Sequence, residues 1–581
     1  MMHSVTYSLL LSWTLGVASQ SINITSFDYI IAGGGTAGLA VANRLTEVSN
    51  VSVLVIEAGT NNVTSWDYPG VPQKYAGDRK ETYPSGKALG GSSRINGMVY
   101  LRAEDIQIDL WEKAGSLGWN WDSLWQYYRK SEELEEPSQQ ALDNGITYNP
   151  AFHGHGPVHV SFSRNQSGGN YLRLLNESYQ SLGIPYLLDP NGGNMRGLST
   201  FPKTWRNTGN NVEVRESSFT AYLQPIENRS NLYVLTNTTV LRILWALHST
   251  LDHEVAIGVE VLAADGSVET FNATREVILS AGAYKSCVIL EYSGVGNPQV
   301  LSKYDIPTRI SLPGVGENFQ DQTNDRIHFN WSGTPPSGAF STVAYLNVQD
   351  LFGNETESFA SSIREELPKY ASMIASQNNN AVSASEVLGL LQLQYSLIFE
   401  QKMPMMELLK QMSLGSPLIC EFWNAFPLSR GNVHISSSDP LSAPAINPNF
   451  FMTSYDLQVQ IAAARFIRRL YAAPPVSGLV ANETSPGLNT VSVSGDNSAW
   501  EKWINTDFRS AWHPVGTTSL LPRQLGGVVD ERLKVYGTAN VRVVDAGIVP
   551  FQINGHTSSV VYAVAEKGSD FIKQDAGLAN A

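Results

Sequence analysis

Residues 27 to 59 read FDYIIAGGGTAGLAVANRLTEVSNVSVLVIEAG. Phe27 to Ala32 is a short apolar run of strand type. Leu39 to Leu45 supplies a small-residue helix face, and Val51 to Ile56 is a β-branched second strand closing on Glu57. Between them Gly33-Gly34-Gly35-Thr36-Ala37-Gly38 fits G-x-G-x-x-G. Gly33 allows the tight turn, Gly35 lets the backbone approach a pyrophosphate, and Gly38 lets the helix pack close to the sheet. The helix N-terminus then offers unpaired N–H groups and a positive dipole end to that pyrophosphate. Glu57, 24 residues after Gly33, stands where a carboxylate accepts the hydroxyls of an adenosine ribose. The unit specifies a dinucleotide and leaves NAD and FAD open.

At 581 residues the chain exceeds one ordinary domain and can bury a large core. Net charge is −14 and no basic run occurs. Nucleic acid and anionic membrane surfaces both need clustered Lys and Arg, so neither is an expected partner. Residues 5 to 17, VTYSLLLSWTLGV, are apolar but too short to span a bilayer, and Ala18-Ser19-Gln20 offers small residues for cleavage. Residues 1–20 therefore read as a secretory signal peptide, unusual in carrying His3 and no Lys or Arg. No later segment is apolar enough to span a membrane. Eleven N-x-S/T acceptors suit an exported, N-glycosylated protein: Asn23, Asn50, Asn62, Asn165, Asn176, Asn228, Asn237, Asn272, Asn330, Asn354 and Asn482. The only cysteines, Cys287 and Cys420, make either a disulfide or two buried free thiols, and free thiols are the simpler expectation.

Further along, Tyr83 to Met98 is rich in Gly and Ser but has apolar and aromatic neighbours, which predicts a loop packed against a ligand rather than a linker. EELEE, residues 132 to 136, reads as a solvated face. FHGHGPVHV, residues 152 to 160, carries three histidines at a spacing that matches no strong metal motif, so a turn entering a strand is expected and no metal. Alternating strands follow from Asn228 to Ser280, and residues 275 to 296 return to strand, glycine turn and helix. Ser385 to Lys402 reads as a helix and FWNAFPLSRGNVHI as a strand.

Four blocks, in order, resemble the glucose–methanol–choline (GMC) family of FAD-dependent oxidoreductases, in particular its secreted fungal branch. They are GGGTAG with VIEAG, then GKALGGSSRINGMVYLR, then GAYKSCVILEYSGVG, and finally WHPVGTTSL with VRVVDAGIVPFQINGHTSSVVYAVAEK. The resemblance implies an α/β chain (α+β overall): a Rossmann-type FAD-binding domain with a discontinuous sheet-and-helix substrate domain. Residues 27–165, 228–325 and 511–581 would form the first, and 166–227 and 326–510 the second.

By the same resemblance Gly33, Gly35, Thr36, Ala37 and Gly38 would serve the pyrophosphate, and Glu57 with Ala58 the ribose. Asn96, Gly97, Met98 and Val99 would line the flavin, and Val240 would meet the adenine. Asp545, Ala546, Thr557 and Ser558 would lie near the pyrophosphate and isoalloxazine. Residues 92 to 98 hold no histidine for a covalent tether, so FAD is expected to be non-covalent. His513 and His556 match the family's catalytic pair, with His513 as the base that takes the hydroxyl proton of an alcohol while hydride goes to flavin. A neutral imidazole suits that task near neutral pH.

The chain departs from the family pattern at Cys287, where Pro is common, at Ser558, where Asn or Gln is common, and at Arg94, charged inside the flavin loop. Arg94 is expected to answer an acidic substrate or to pair with a carboxylate. Trp423, Phe426, Phe551 and Trp512 favour an aromatic or polyketide-derived alcohol; the resemblance implies oxygen or another electron acceptor and a place in fungal secondary metabolism. The alternative on the same fold is a redox-silent FAD-containing cyclase or lyase.

Overall fold

The computed structural model describes residues 24–163, 170–208, 212–247, 253–334, 340–412 and 417–578. The expected signal peptide and the acceptors Asn23 and Asn165 lie outside the described residues.

Ser26–Ala32 sits in the middle of a seven-stranded sheet, parallel to Val53–Ile56 on one side and to Val268–Leu279 on the other. Leu232–Leu235 continues the parallel arrangement at one edge, and Val541–Val543 pairs parallel with the end of Val268–Leu279. Ala256–Leu262 and Thr239–Trp245 extend the sheet as an antiparallel meander. A parallel strand covered on both faces has no solvated side, which is why YIIA and VLVI are apolar without alternation and wholly buried. The helix Thr36–Leu45 lies against this sheet, and the C-terminal helix Thr557–Asp575 packs on it. Arg44 clamps the two helices through the buried carboxylate of Glu566 at 2.7 Å.

The second large sheet has six strands, all antiparallel. Its order is Phe340–Leu346, Met406–Met412, Leu418–Asn424, Thr323–Trp331 and Val480–Ser485, with Arg509–Ser510 paired to the start of Thr323–Trp331. The helix Ser454–Ala472 covers it. The two sheets decide where the site forms. His513 follows Arg509–Ser510 of the second sheet, and His556 immediately precedes the helix packed on Thr36–Leu45, which in turn lies against the first.

Several sequence expectations change at this level. Ser385 to Lys402 is a helix only over Ala384–Tyr395, then a wider turn over Ser396–Glu400. FWNAFPLSRGNVHI is not one strand. It divides between Leu418–Asn424 and Asn432–His434, with the bend held by Asp456, whose carboxylate accepts from Leu428 N and Ser429 N. Pro427 has no N–H for a ladder, which explains the break. The acidic run is not uniformly solvated. Glu132 is fully buried, bonded to Arg102 at 2.6 Å and to His153 at 3.1 Å, and the other ring nitrogen of His153 meets Asp189 at 3.0 Å. Cys287 and Cys420 are free, buried thiols. No helix among the described residues is long and apolar enough to cross a membrane.

Candidate active site

The glycine loop divides its labour as the spacing predicts. Gly33 holds φ +110°, and a Cβ there would lie 2.5 Å from Ser280 O; a Cβ on Gly38 would lie 2.0 Å from Gly33 O. Both are glycine for the protein's own packing. Gly35 is different, because an added Cβ would meet no protein atom nearer than 3.8 Å. Its bare backbone therefore leaves room on the cavity side. The second glycine turn closes on the first: a Cβ on Gly91 would lie 2.7 Å from Gly35 Cα.

Glu57 ends the second strand almost buried. Its Oε2 accepts from Gly34 N at 2.9 Å and its Oε1 from Gly59 N at 2.7 Å. Burial pushes the carboxyl up to about 7, against the pull of those two N–H groups. Asn96 is held by Arg215, whose Nη1 donates to its Oδ1 at 2.6 Å. Asp545 joins two chain segments, accepting from Gly547 N at 2.8 Å, Gly282 N at 2.9 Å and Ser286 Oγ at 2.5 Å.

These groups line one cavity of about 560 Å³, which also reaches Val240 in one direction and the histidines in the other. Gly33, Gly35, Thr36, Ala37, Glu57, Ala58, Asn96, Gly97, Met98, Val99, Val240, His513, Asp545, Ala546, His556, Thr557 and Ser558 all line it. Of the residues expected to hold the cofactor or act in catalysis only Gly38 does not, since it sits in the helix-to-sheet contact instead. A volume of this order suits a cofactor-sized ligand.

His513 and His556 come together at 4.8 Å between ring centroids, their planes 80° apart. Trp423 stands edge-on to both, 6.2 Å from His513 and 5.9 Å from His556. The tautomer of His513 follows from its neighbours. Gln322 donates its amide Nε2 to Ala425 O at 2.9 Å and Ile553 O at 3.0 Å, so its Oε1 is the face turned to His513 Nδ1, at 2.7 Å. An oxygen there accepts, so Nδ1 carries the proton and Nε2 is left with a free lone pair. Burial holds the His513 imidazole well below its ordinary range, helped by the nearby His556 and Arg509. Burial likewise pushes His556 down to about 3. Its Nε2 lies 3.1 Å from Glu407 Oε1, and burial holds that carboxyl well above the usual carboxylate range. The site is thus a pair of neutral imidazoles with one fixed acceptor nitrogen.

Gln322, Glu407 and the phenol of Tyr345, which donates to Glu407 Oε2 at 2.9 Å, were not among the expected site residues. Glu407 had a local signal, a single acid within the apolar run Met405-Met406-Glu407-Leu408-Leu409. Gln322 had none. Of the four expected aromatics, Trp423 meets the histidines and Trp512 lines the cavity, 46% exposed, under the Arg509 guanidinium at 4.5 Å. Phe426 and Phe551 do not belong with them, because both are consumed in the main core. Among the described residues Arg94 pairs with no carboxylate. It donates to Asn61 O and Oδ1 at 3.0 and 2.7 Å and stacks on Phe219 at 4.9 Å.

A family model described as GMC oxidoreductase matches residues 27–324, and a second with the same description matches residues 427–565. The glucose oxidase-like protein fsoC of Humicola fuscoatra is 39% identical over 590 residues, covering 97% of this chain and 98% of that protein. A glucose oxidase of Penicillium chrysogenum is 33% identical over 578 residues, covering 95% and 92%. Among solved structures, a fungal aryl-alcohol oxidase superposes with a TM-score of 0.86 at 25% identity, covering 95% of this chain and all of that one (100%).

Proposed function

The chain belongs to the GMC oxidoreductase family of FAD-dependent enzymes, and from that premise we propose that it oxidises the CH–OH group of a small alcohol with His513 as the base. The single observation that carries this reading is the Gln322–His513 contact, which leaves an unprotonated Nε2 beside the cavity. Bound FAD supplies the hydride acceptor for such a step. The residues present fit it: a glycine cradle open at Gly35, a buried carboxylate at Glu57 and one continuous cavity from there to the histidines. On this reading Gly33 to Ala37 and Asp545 with Ala546 hold the pyrophosphate, Glu57 and Ala58 the ribose, and Val240 the adenine. Asn96 to Val99 with Thr557 and Ser558 flank the ring system. No side chain from Ser92 to Met98 offers a histidine tether, which supports non-covalent binding.

His513 Nε2 accepts the hydroxyl proton, and a positioned base of this kind is typically worth about 10²–10⁴ in rate. His556 stands as hydrogen-bonding partner to the same oxygen. Val99 and Trp512 line the cavity, and Val99 continues into an apolar cluster with Leu101, Met195, Phe201, Leu409 and Trp423, which supports an aromatic or polyketide-derived alcohol over a free sugar. Residues 27–165, 228–325 and 511–581 then carry the cofactor, and 166–227 with 326–510 face the substrate. Oxygen or another oxidant reoxidises the enzyme. Secretion and N-glycosylation are supported by eight of the acceptor asparagines, Asn50, Asn62, Asn228, Asn237, Asn272, Asn330, Asn354 and Asn482, being exposed.

The test is anaerobic mixing of the holoenzyme with a panel of aromatic, aliphatic and sugar alcohols while flavin absorbance is followed, then admission of oxygen. Bleaching by an aromatic alcohol is expected, and colour return on oxygen identifies an oxidase. A panel in which nothing bleaches while a hydroxyketone cyclises or a cyanohydrin breaks down would overturn the reading in favour of a redox-silent enzyme.

A further inference from the structure

Tyr345, Glu407 and Trp423 stand in one row across three antiparallel strands: Tyr345 pairs directly with Glu407, and Glu407 directly with Trp423. Directly opposed residues of neighbouring strands share a face, so the three side chains lie side by side. One end of the row touches both histidine rings through Trp423. In the middle, Glu407 turns Oε1 to His556 Nε2 at 3.1 Å and receives the Tyr345 hydroxyl on Oε2 at 2.9 Å. Tyr345 and Glu407 are both fully buried, and among the described residues no lysine or arginine is bonded to the carboxyl.

Resting on the alcohol-oxidising reading of this site, we propose that Tyr345 is a positioning residue which, through Glu407, decides which nitrogen of His556 carries the ring proton. The two states differ by one proton. With Glu407 protonated, its Oε1–H donates to Nε2 and the imidazole proton sits on Nδ1, so His556 is a donor to the cavity it lines. When Glu407 ionises, the Oε1 proton crosses to Nε2 and the Nδ1 proton leaves, so Nδ1 becomes an acceptor. His513 does not take part in this switch, because Gln322 fixes it as an acceptor. At working pH the pair then offers one acceptor and one donor to a substrate hydroxyl, instead of two acceptors competing for one proton. The dry surroundings favour the neutral acid. The Tyr345 hydroxyl favours the ionised one, since a hydrogen bond to a charged acceptor is about twice as strong as to a neutral one. Tyr345 therefore sets the pH at which the switch occurs.

The other ionisable groups facing this row are few. Glu421, two residues before Trp423, adds negative charge that raises Glu407 further, and Glu104 acts on Tyr345 from the chain entering the helix Asp105–Lys113. His513 faces His556, and Arg509 acts on His513.

The experiment is an infrared titration of oxidised, substrate-free holoenzyme, following the C=O band of a protonated buried carboxyl. The band should vanish in Glu407→Gln, and its titration midpoint should rise by about one to two pH units in Tyr345→Phe. The pH profile of flavin reduction should move the same way in Tyr345→Phe. In Glu407→Gln the corresponding limb should disappear, because an amide does not ionise. An unmoved midpoint in a Tyr345→Phe protein that retains FAD and melts like the parent overturns the proposal; if that variant does not fold, a Glu407→Gln enzyme that keeps the limb does so. The infrared titration needs no alcohol and no turnover. A panel that bleaches nothing therefore sinks the alcohol reading alone, while a band that fails to move sinks only the role of Tyr345.

Discussion

Gln322 holds His513 in one tautomer: with its amide nitrogen committed to two backbone carbonyls, it can offer Nδ1 only an oxygen, 2.7 Å away. The contact crosses 191 positions of chain and joins the start of the second sheet to the segment that follows it. It turns a generic imidazole into an acceptor with a defined direction.

His513→Ala should keep FAD and lose at least about a hundredfold in the rate of flavin reduction. Gln322→Leu should lose less, because the base remains while its tautomer is no longer held. Stopped-flow reduction under nitrogen measures both. A Gln322→Leu enzyme as fast as the parent would show that the contact is structural only.

The depressed basicity of both imidazoles places the acid limb of activity low. Burial keeps His513 well below its ordinary value and His556 near about 3, so both are already neutral at pH 6.5 and stay so as pH falls further. Flavin reduction should be flat from pH 8 through 6.5, where a free imidazole would be half protonated. The same groups make folding weaken in acid: the unfolded chain binds these protons first, so their contribution is complete above 6.5 and declines as pH falls toward the folded values. An activity midpoint at an ordinary imidazole value would contradict the lowered basicity of the pair.

Glu57→Ala should chiefly weaken FAD retention, seen as flavin released on gel filtration. The structure adds a second consequence, since the carboxylate also holds Gly34 N and Gly59 N. The apo protein should therefore melt lower, and Glu57→Gln should recover part of that loss by keeping one acceptor oxygen. Unchanged FAD affinity in both variants would sink the ribose assignment.

His434 predicts alkaline sensitivity. Its ring lies between Glu291 at 2.7 Å and Glu317 at 3.0 Å, and these carboxylates raise it to about 10 despite burial. A group raised in the folded state contributes fully below its unfolded value near 6.5 and is lost as pH rises through about 10. Stability by urea titration should fall between pH 7 and 10. His434→Gln should cost about 3–5 kcal/mol at pH 7, because two buried carboxylates lose their cation, and should flatten that slope. A parent protein equally stable at both ends of the window would refute the linkage.

How far the chain could be read depended on distance along it. The cradle was legible because Gly33, Gly35, Gly38 and Glu57 act within one strand–turn–helix–strand unit, where spacing alone fixes geometry. The histidines were legible only through resemblance, since nothing near His513 or His556 marks either as paired with the other. Glu132 was misread within EELEE because its partners, Arg102 and His153, come from outside the run. An acidic stretch looks solvated until a buried cation arrives from elsewhere.

By itself, then, the sequence determined a glycine turn, the two strands and the helix around it and the acid that ends the unit. The tertiary structure alone decided what the two histidines touch. The histidine tautomers depend on Gln322 and Glu407, which lie 191 and 149 positions from the rings they touch. The second contact comes from a strand whose antiparallel register sets Tyr345, Glu407 and Trp423 in one row. Local spacing encodes a turn and a strand; which oxygen faces which nitrogen is fixed by how distant strands are paired.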